Sequence, residues 1–301
     1  MSQYENLKAL AKTLEQIFPE IGAIASLKVL GEGFRSIVVE TDGGQVFRIG
    51  KNSYAARGYR KEIHLLPILR PYLPFSIPEP RWYKDCSRKF PFGVMGYPKL
   101  PGQFLSPKML SKKNQKPLTS DIARFLLSLH RFPLDKAVEL GVPDFESLKP
   151  DLEEVRQETL SLLQNVVTRA AYREISRWWD DFIQDGRMQQ YTPVLLHGDL
   201  WYEHILVNKA NTTVVGILDF EEAAIGDPAH DLSTQFHLGK TFAKLVLHAY
   251  QDQGGVINEW LWYRMNKLYV LRELTGLLFS IKVKDPVEIE ESIKKVQRCF
   301  V

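Results

Sequence analysis

The chain has 301 residues, 45% of them apolar and 25% charged, with a formal net charge of +3. This composition excludes disorder. The charge is too small and too evenly spread to mark a nucleic-acid surface, and the basic stretch from Lys108 to Lys116 reads as a solvated loop. The two cysteines, Cys86 and Cys299, are far apart and lack metal-ligand spacing, so they indicate neither a disulfide framework nor a zinc site and point to a reducing compartment. No signal-type apolar core opens the chain, and no run approaches the roughly 18 apolar residues of a membrane span. The expectation is a cytoplasmic protein with no membrane partner.

Residues 3 to 18 place Leu7, Leu10, Ala11, Leu14, Ile17 and Phe18 at helical spacing, which predicts an amphipathic helix. From Ala25 to Ile49 the runs SLKVL, SIVVE and QVFRI, separated by GEGF and TDGG, predict three strands joined by tight turns. Tyr54 to Leu69 returns to helical period, with Pro67 expected to kink or end it. Strands are expected near Pro80 to Lys84 and Phe92 to Tyr97. Long helices should follow at Thr119 to His130, Leu148 to Val166, Arg169 to Gln184 and much of Val256 to Val296, interrupted by short buried strands between Pro193 and Phe220. The Pro/Gly cluster from Tyr97 to Gly102 divides the chain into a β-rich lobe, residues 1–97, and a helical lobe, residues 98–301.

Two blocks carry the chemistry. In HGDLWYEHILVN and VVGILDFEEAAIGDP, apolar neighbours flank Asp199 and Asp219, and a carboxylate beside a buried strand must be paired, metal-bound or catalytic. Phosphoryl transfer needs a carboxylate that takes the acceptor's hydroxyl proton and further ligands that hold magnesium against phosphates, so Asp199 suits the base and Asp219 the metal. His197-x-Asp199, with ligand-capable His204 five positions on and Asp219 fifteen further, matches the spacing of a kinase catalytic loop. A turn or cap aspartate is the bland alternative for Asp199 alone. In the first third, Gly31 and Gly33 let backbone approach phosphates, although a plain hairpin turn would read the same. Arg48 supplies a cation in a following strand and Glu62 a partner fourteen residues on, a surface ion pair being the alternative.

HGDLWYEHIL followed by ILDFEEAAIGDPAHDL, together with GEGF, VFRI, Glu62 and MGYPKLPGQFL in the same order, resembles the aminoglycoside phosphotransferase family over nearly the whole chain. The resemblance implies an α+β, bilobal protein-kinase-like fold and transfer from ATP or GTP, with Mg2+, to the hydroxyl of a small molecule. It also implies that Asp199 is the base, that His204 and Asp219 are metal ligands, and that Gly96, Tyr97, Pro98, Lys99 and Leu100 form the hinge that binds the purine. His204 stands where most of the family has Asn and is similar to the branch acting on the 2-double-prime hydroxyl. Arg48 replaces the usual Lys, as macrolide phosphotransferases also tolerate.

Five carboxylates lie between Asp219 and Asp231 with no Lys or Arg among them. Asp227 and Asp231 resemble structural positions of the family, which leaves Glu221 and Glu222 to favour a cationic acceptor. Trp201, two residues after the base, is placed to wall the acceptor pocket, whereas Trp178 and Trp260 read as core. An aminoglycoside, and hence antibiotic inactivation, leads the expectations. A macrolide, choline, homoserine or a sugar is the rival acceptor, and a nucleotide-binding pseudokinase is the alternative of another class.

Overall fold

A computed structural model of the chain describes residues 6–145, 151–284 and 286–300. The predicted helix starts at residues 3 and 148 lie outside the described residues. In the first lobe α1 (Leu7–Ile17) is capped by the Asn6 side chain, which accepts from the N–H of Ala9 at 3.1 Å. Strands β1 (Leu27–Glu32), β2 (Ser36–Thr41) and β3 (Gln45–Gly50) form an antiparallel meander, then α2 (Ser53–Leu69) crosses to β4 (Trp82–Lys84) and β5 (Val94–Pro98). The sheet order is β1-β2-β3-β5-β4.

The two-residue period of β3 decides where the functional side chain goes. Phe47 and Ile49 turn toward α1 and pack with Leu14, Phe18 and Val39. Val46 packs on the other face with Ala55 and Tyr59 of α2. Arg48, in phase with Val46, therefore points to the α2 side, its guanidinium 5.5 Å from the Tyr59 ring centre. Pro67 does not end α2, which runs on to Leu69. The proline lies in the last turn, where the one backbone hydrogen bond it removes matters least.

The second lobe is built from β6 (Gln103–Phe104), α3 (Gln115–His130), α4 (Leu134–Glu139), α5 (Leu152–Leu163), α6 (Arg169–Ile183), β7 (Val194–Leu196), β8 (Ile205–Val207), β9 (Val214–Ile217), β10 (Ala224–Gly226), α7 (Ala229–Ser233), α8 (Lys240–Asp252), α9 (Leu261–Val283) and α10 (Pro286–Cys299). Two small sheets, β6-β8-β9 and β10-β7, hold the expected short strands. Ile122, Phe125, Leu126 and Leu129 of α3 meet Phe242 and Val246 of α8 and the strand residues Leu195, Ile205 and Val207 in one core. A second core gathers Val155, Leu163, Trp179, Phe182, Leu274, Leu277 and Val296 from α5, α6, α9 and α10.

The single helical run expected from Val256 to Val296 is two helices. Lys284 adopts a left-handed φ of 59° after α9, and Pro286 opens α10, a position where a missing N–H costs nothing. Helix α8 is an addition to the expected elements. Among the described residues no helix is long and apolar enough to cross a membrane.

Candidate active site

The loop that follows β7 is fixed from below. The backbone N–H groups of His197 and Gly198 both donate to the carboxylate of Asp231 at 2.8 Å, and His130 approaches the same carboxylate at 3.3 Å. Burial opposes ionisation of Asp231, but the hydrogen bond from His130 and the nearby imidazoles hold its pKa below the usual carboxylate value. Gly198 takes a φ of 83°, and a Cβ there would stand 2.2 Å from the Glu222 carbonyl oxygen, so only glycine fits. His197 is fully buried. Its Nε2–H donates to the Leu218 carbonyl at 2.9 Å, and its Nδ1 accepts from the Asp199 N–H at 3.2 Å. Burial, the first cause, lowers its pKa, in keeping with a neutral ring that bridges the two acidic segments.

Asp199, His204 and Asp219 converge. His204 Nδ1 donates to the backbone carbonyl of Asp199 at 2.7 Å, which leaves Nε2 with its lone pair 3.6 Å from Asp219 Oδ2. His204 Nδ1 lies 3.6 Å from Asp199 Oδ2. Asp219 sits at φ 65°, a strained conformation for a residue with a side chain, and strain of this kind collects at functional sites. Burial works against its charge, but Arg48 first and then His204 hold its pKa well below the ordinary carboxylate value.

Arg48 is the centre of the site's charge. Its Nη1 reaches Glu62 at 3.1 and 3.3 Å, and its Nη2 reaches Asp219 at 3.1 Å and also Glu221. One guanidinium from β3 thus ties α2 to the segment after β9. The Glu62 carboxylate also accepts from the Phe220 N–H at 2.8 Å, and burial pushes its pKa up to about 7 against the pull of Arg48. Lys61 donates to the carbonyls of Glu221 and Ala223, both at 2.6 Å.

The sequence expectation that Glu221 and Glu222 face a cationic acceptor does not hold in this geometry. Glu221 closes on Arg48 and, at 3.3 Å, on Arg35, while Glu222 pairs with Arg35. Both carboxylates are taken by arginines of the first lobe, Arg35 between β1 and β2 and Arg48 on β3, which pairing more than 170 residues apart in sequence left invisible.

At Gly31 a Cβ would meet nothing within 4 Å, and at Gly33 only the Ser36 carbonyl at 4.0 Å. Neither glycine has a positive φ. Packing does not require either glycine. Gly96 has a packing reason instead, since a Cβ would lie 2.4 Å from the Phe47 ring. In the connector, the Lys99 N–H donates to the Gly44 carbonyl at 2.9 Å and its ammonium pairs with Glu40 at 2.8 Å. Pro98 has no N–H, and the flank of Leu100 lies 3.4 Å from the Cβ position of Gly216. Trp201 stands between His204 and His237, with ring centres at 6.2 and 5.5 Å.

One contact of the loop is absent from the sequence expectations. Arg272 of α9 donates from Nη1 to Asp199 Oδ1 at 2.7 Å and from Nη2 to the Gly198 carbonyl at 3.2 Å. Asp231, expected as a position that caps the loop, does so through the bonds from the His197 and Gly198 N–H groups.

The family model described as phosphotransferase enzyme family matches residues 26–267. The uncharacterized protein YcbJ of Bacillus subtilis (strain 168) is 26% identical over 258 residues, 81% of this chain and 78% of its own length. Among solved structures, the GDP and kanamycin complex of APH(2")-IIia is 26% identical with a TM-score of 0.82, covering 97% of this chain and 98% of that one. The GDP complex of aminoglycoside 2'-phosphotransferase-IIIa is 25% identical with a TM-score of 0.83, covering 98% of both. Macrolide 2'-phosphotransferase MphH from Brachybacterium faecium, at 22% identity, a TM-score of 0.69 and coverage of 96% and 98%, shares the fold.

Proposed function

The chain belongs to the phosphotransferase enzyme family, and we propose that it moves the γ-phosphoryl group of a nucleoside triphosphate onto a hydroxyl of a small molecule with Asp199 as the base. The observation that carries this reading is the convergence of Asp199, His204 and Asp219, with contacts of 3.6 Å on either side of one imidazole. Asp199 orients the acceptor hydroxyl and takes its proton as the oxygen–phosphorus bond forms and the bond to the leaving nucleoside diphosphate breaks. Arg48 and the open backbone at Gly31 and Gly33 hold the phosphates, Glu62 fixes Arg48, and backbone of the Gly96–Leu100 connector other than the Lys99 N–H and the Gly96 carbonyl, which accepts from the Arg81 N–H, faces the purine.

The donor set fits magnesium. Among the described residues no three His, Cys, Asp or Glu side chains cage a metal by themselves. Mg2+ is usually held by one or two protein ligands plus phosphate oxygens, and His204 Nε2 with Asp219 supplies that number. Bound there, the ion would neutralise charge on the transferring phosphate. Arg48 and His204 keep Asp219 ionised against burial, so its carboxylate is available to a divalent cation.

Transfer from γ-labelled ATP and GTP to kanamycin, a macrolide, choline, homoserine and simple sugars, with wild type and Asp199→Asn side by side, tests the assignment. Loss of all transfer in Asp199→Asn with nucleotide binding intact is the expected result; equal rates in the two proteins refute it. An amino sugar is the second acceptor class to weigh, favoured by the kanamycin in the neighbouring structure at 26% identity. Growth of a susceptible bacterium on kanamycin when it expresses the chain tests that class.

A further inference from the structure

We propose that the acceptor is an anionic alcohol, one whose hydroxyl is accompanied by a carboxylate or phosphate, and that Arg272 is the residue that selects it. This rests on the phosphotransferase reading above and concerns only the acceptor. Arg272 lies against the base, bonded to Asp199 at 2.7 Å and to the Gly198 carbonyl at 3.2 Å, while a third of its side chain stays exposed. A cationic acceptor would have to displace this guanidinium from Asp199 and then lie beside it. An anionic acceptor instead draws the guanidinium onto itself, which uncovers the base as the substrate arrives.

The surroundings carry the same sign. A cavity of about 450 Å³ beside the site is lined by Trp178, Phe236, Tyr269, Lys240, Lys267 and Arg298, with no carboxylate among its described lining residues. The Tyr269 and His237 rings, 5.4 Å apart, and those of His237 and Trp201, 5.5 Å apart, connect this cavity to the catalytic loop. Arg272 and Lys295 both act on His237, which burial and these cations keep neutral down to about 4. The acids within reach are engaged or set aside. Asp185 is taken by Arg187 at 2.7 Å and by the Tyr263 hydroxyl. Glu273 is buried against His237, its Oε1 3.6 Å from Nδ1; burial raises its pKa, and Lys295 and Arg272 act on it as well. Asp181 acts on Lys267 from α6, and Glu203 and Glu291 lie on the other flank by Tyr202. Glu221 and Glu222, the carboxylates that would favour a polycation, are closed on Arg35 and Arg48.

The test uses a deproteinised bacterial small-molecule pool split on anion- and cation-exchange resins, each fraction offered to the full chain with γ-labelled ATP and GTP and Mg2+, with kanamycin as a separate probe. The expected result is Asp199-dependent labelled product from the fraction retained by the anion exchanger. On that fraction Arg272→Gln should raise KM by about tenfold or more and Arg272→Lys should recover much of the loss. Faster product formation from the cationic fraction or from kanamycin overturns the proposal. So does an absence of product from both fractions while Asp199-dependent nucleotide hydrolysis persists, a result that leaves the phosphotransferase assignment intact. A fall in kcat on every acceptor, water included, with KM unchanged would make Arg272 only a positioning residue for Asp199 and would also overturn it.

Discussion

The imidazole of His204 donates from Nδ1 to the carbonyl of Asp199 at 2.7 Å, and this bond sets which nitrogen can bind metal. A carbonyl only accepts, so Nδ1 carries a proton and Nε2, on the Asp219 side, is the nitrogen left for a metal. In the proposed mechanism one side chain thus locks the loop that carries Asp199 and supplies a metal ligand at its far end. An asparagine could divide the same two tasks between its amide N–H and its amide oxygen.

His204→Asn should therefore keep measurable transfer, whereas His204→Leu loses both functions and should lower kcat/KM by roughly 100-fold or more. A Mg2+ titration of transfer rate separates the two, because only the leucine variant should need far more metal. Identical titrations for wild type and His204→Leu would remove His204 from the metal site.

Gly198 tests the geometry of the loop itself. Its φ of 83°, and the 2.2 Å that would separate an added Cβ from the Glu222 carbonyl oxygen, mean that Gly198→Ala must move backbone on both sides. The expected cost is about 2–4 kcal/mol of stability, accompanied by loss of transfer, because the Asp231 bonds to His197 and Gly198 shift together. Thermal unfolding within a degree of wild type would show that the loop tolerates a side chain.

Asp199, His204 and Asp219 are legible in the sequence because they are spaced by local geometry. Turn, short helix and two short strands between positions 197 and 219 fix their separation, so chain distance stands in for space. Arg48 and Glu62 are legible for a related reason, since strand period and helix period each choose a face. Arg272 carries no such mark. It is one arginine on a long helix, 73 residues from the carboxylate it covers, and only tertiary packing of α9 brings the two together. The fate of Glu221 and Glu222 is hidden in the same way by partners in another lobe. The break between α9 and α10 is written in the Lys-Asp-Pro at positions 284–286, but hydrophobic period runs across it and masks the stop.

Arg48 holds Glu62, Asp219 and Glu221 at once, so its substitutions should separate charge from shape. Arg48→Leu leaves buried Glu62 and Glu221, and Asp219 beside them, without their shared cation and should cost about 3–5 kcal/mol. Arg48→Lys keeps the charge but cannot span Glu62 and Asp219 with one planar fork; about 1–2 kcal/mol of stability should be lost, with a higher KM for nucleotide. Chemical denaturation with nucleotide KM measured in parallel checks both. A lysine variant equal to wild type in both readouts would mean the fork geometry is immaterial.

His237 gives the chain a predictable acid sensitivity. Burial first, then Arg272 and Lys295, lower its pKa to about 4 in the folded protein, from an ordinary value of 6.5. Between those two values the unfolded chain binds a proton at this position and the folded chain does not, so stability rises with pH across that window and falls as acid is added. The full contribution is present above about 6.5 and is gone below about 4, and after allowance for partial exposure it amounts to about 2 kcal/mol. His237→Gln cannot titrate, so its stability relative to wild type should improve steadily from pH 7 down to pH 4. Urea midpoints for the two proteins at several pH values would test this, and parallel curves over that range would show that His237 carries no such linkage.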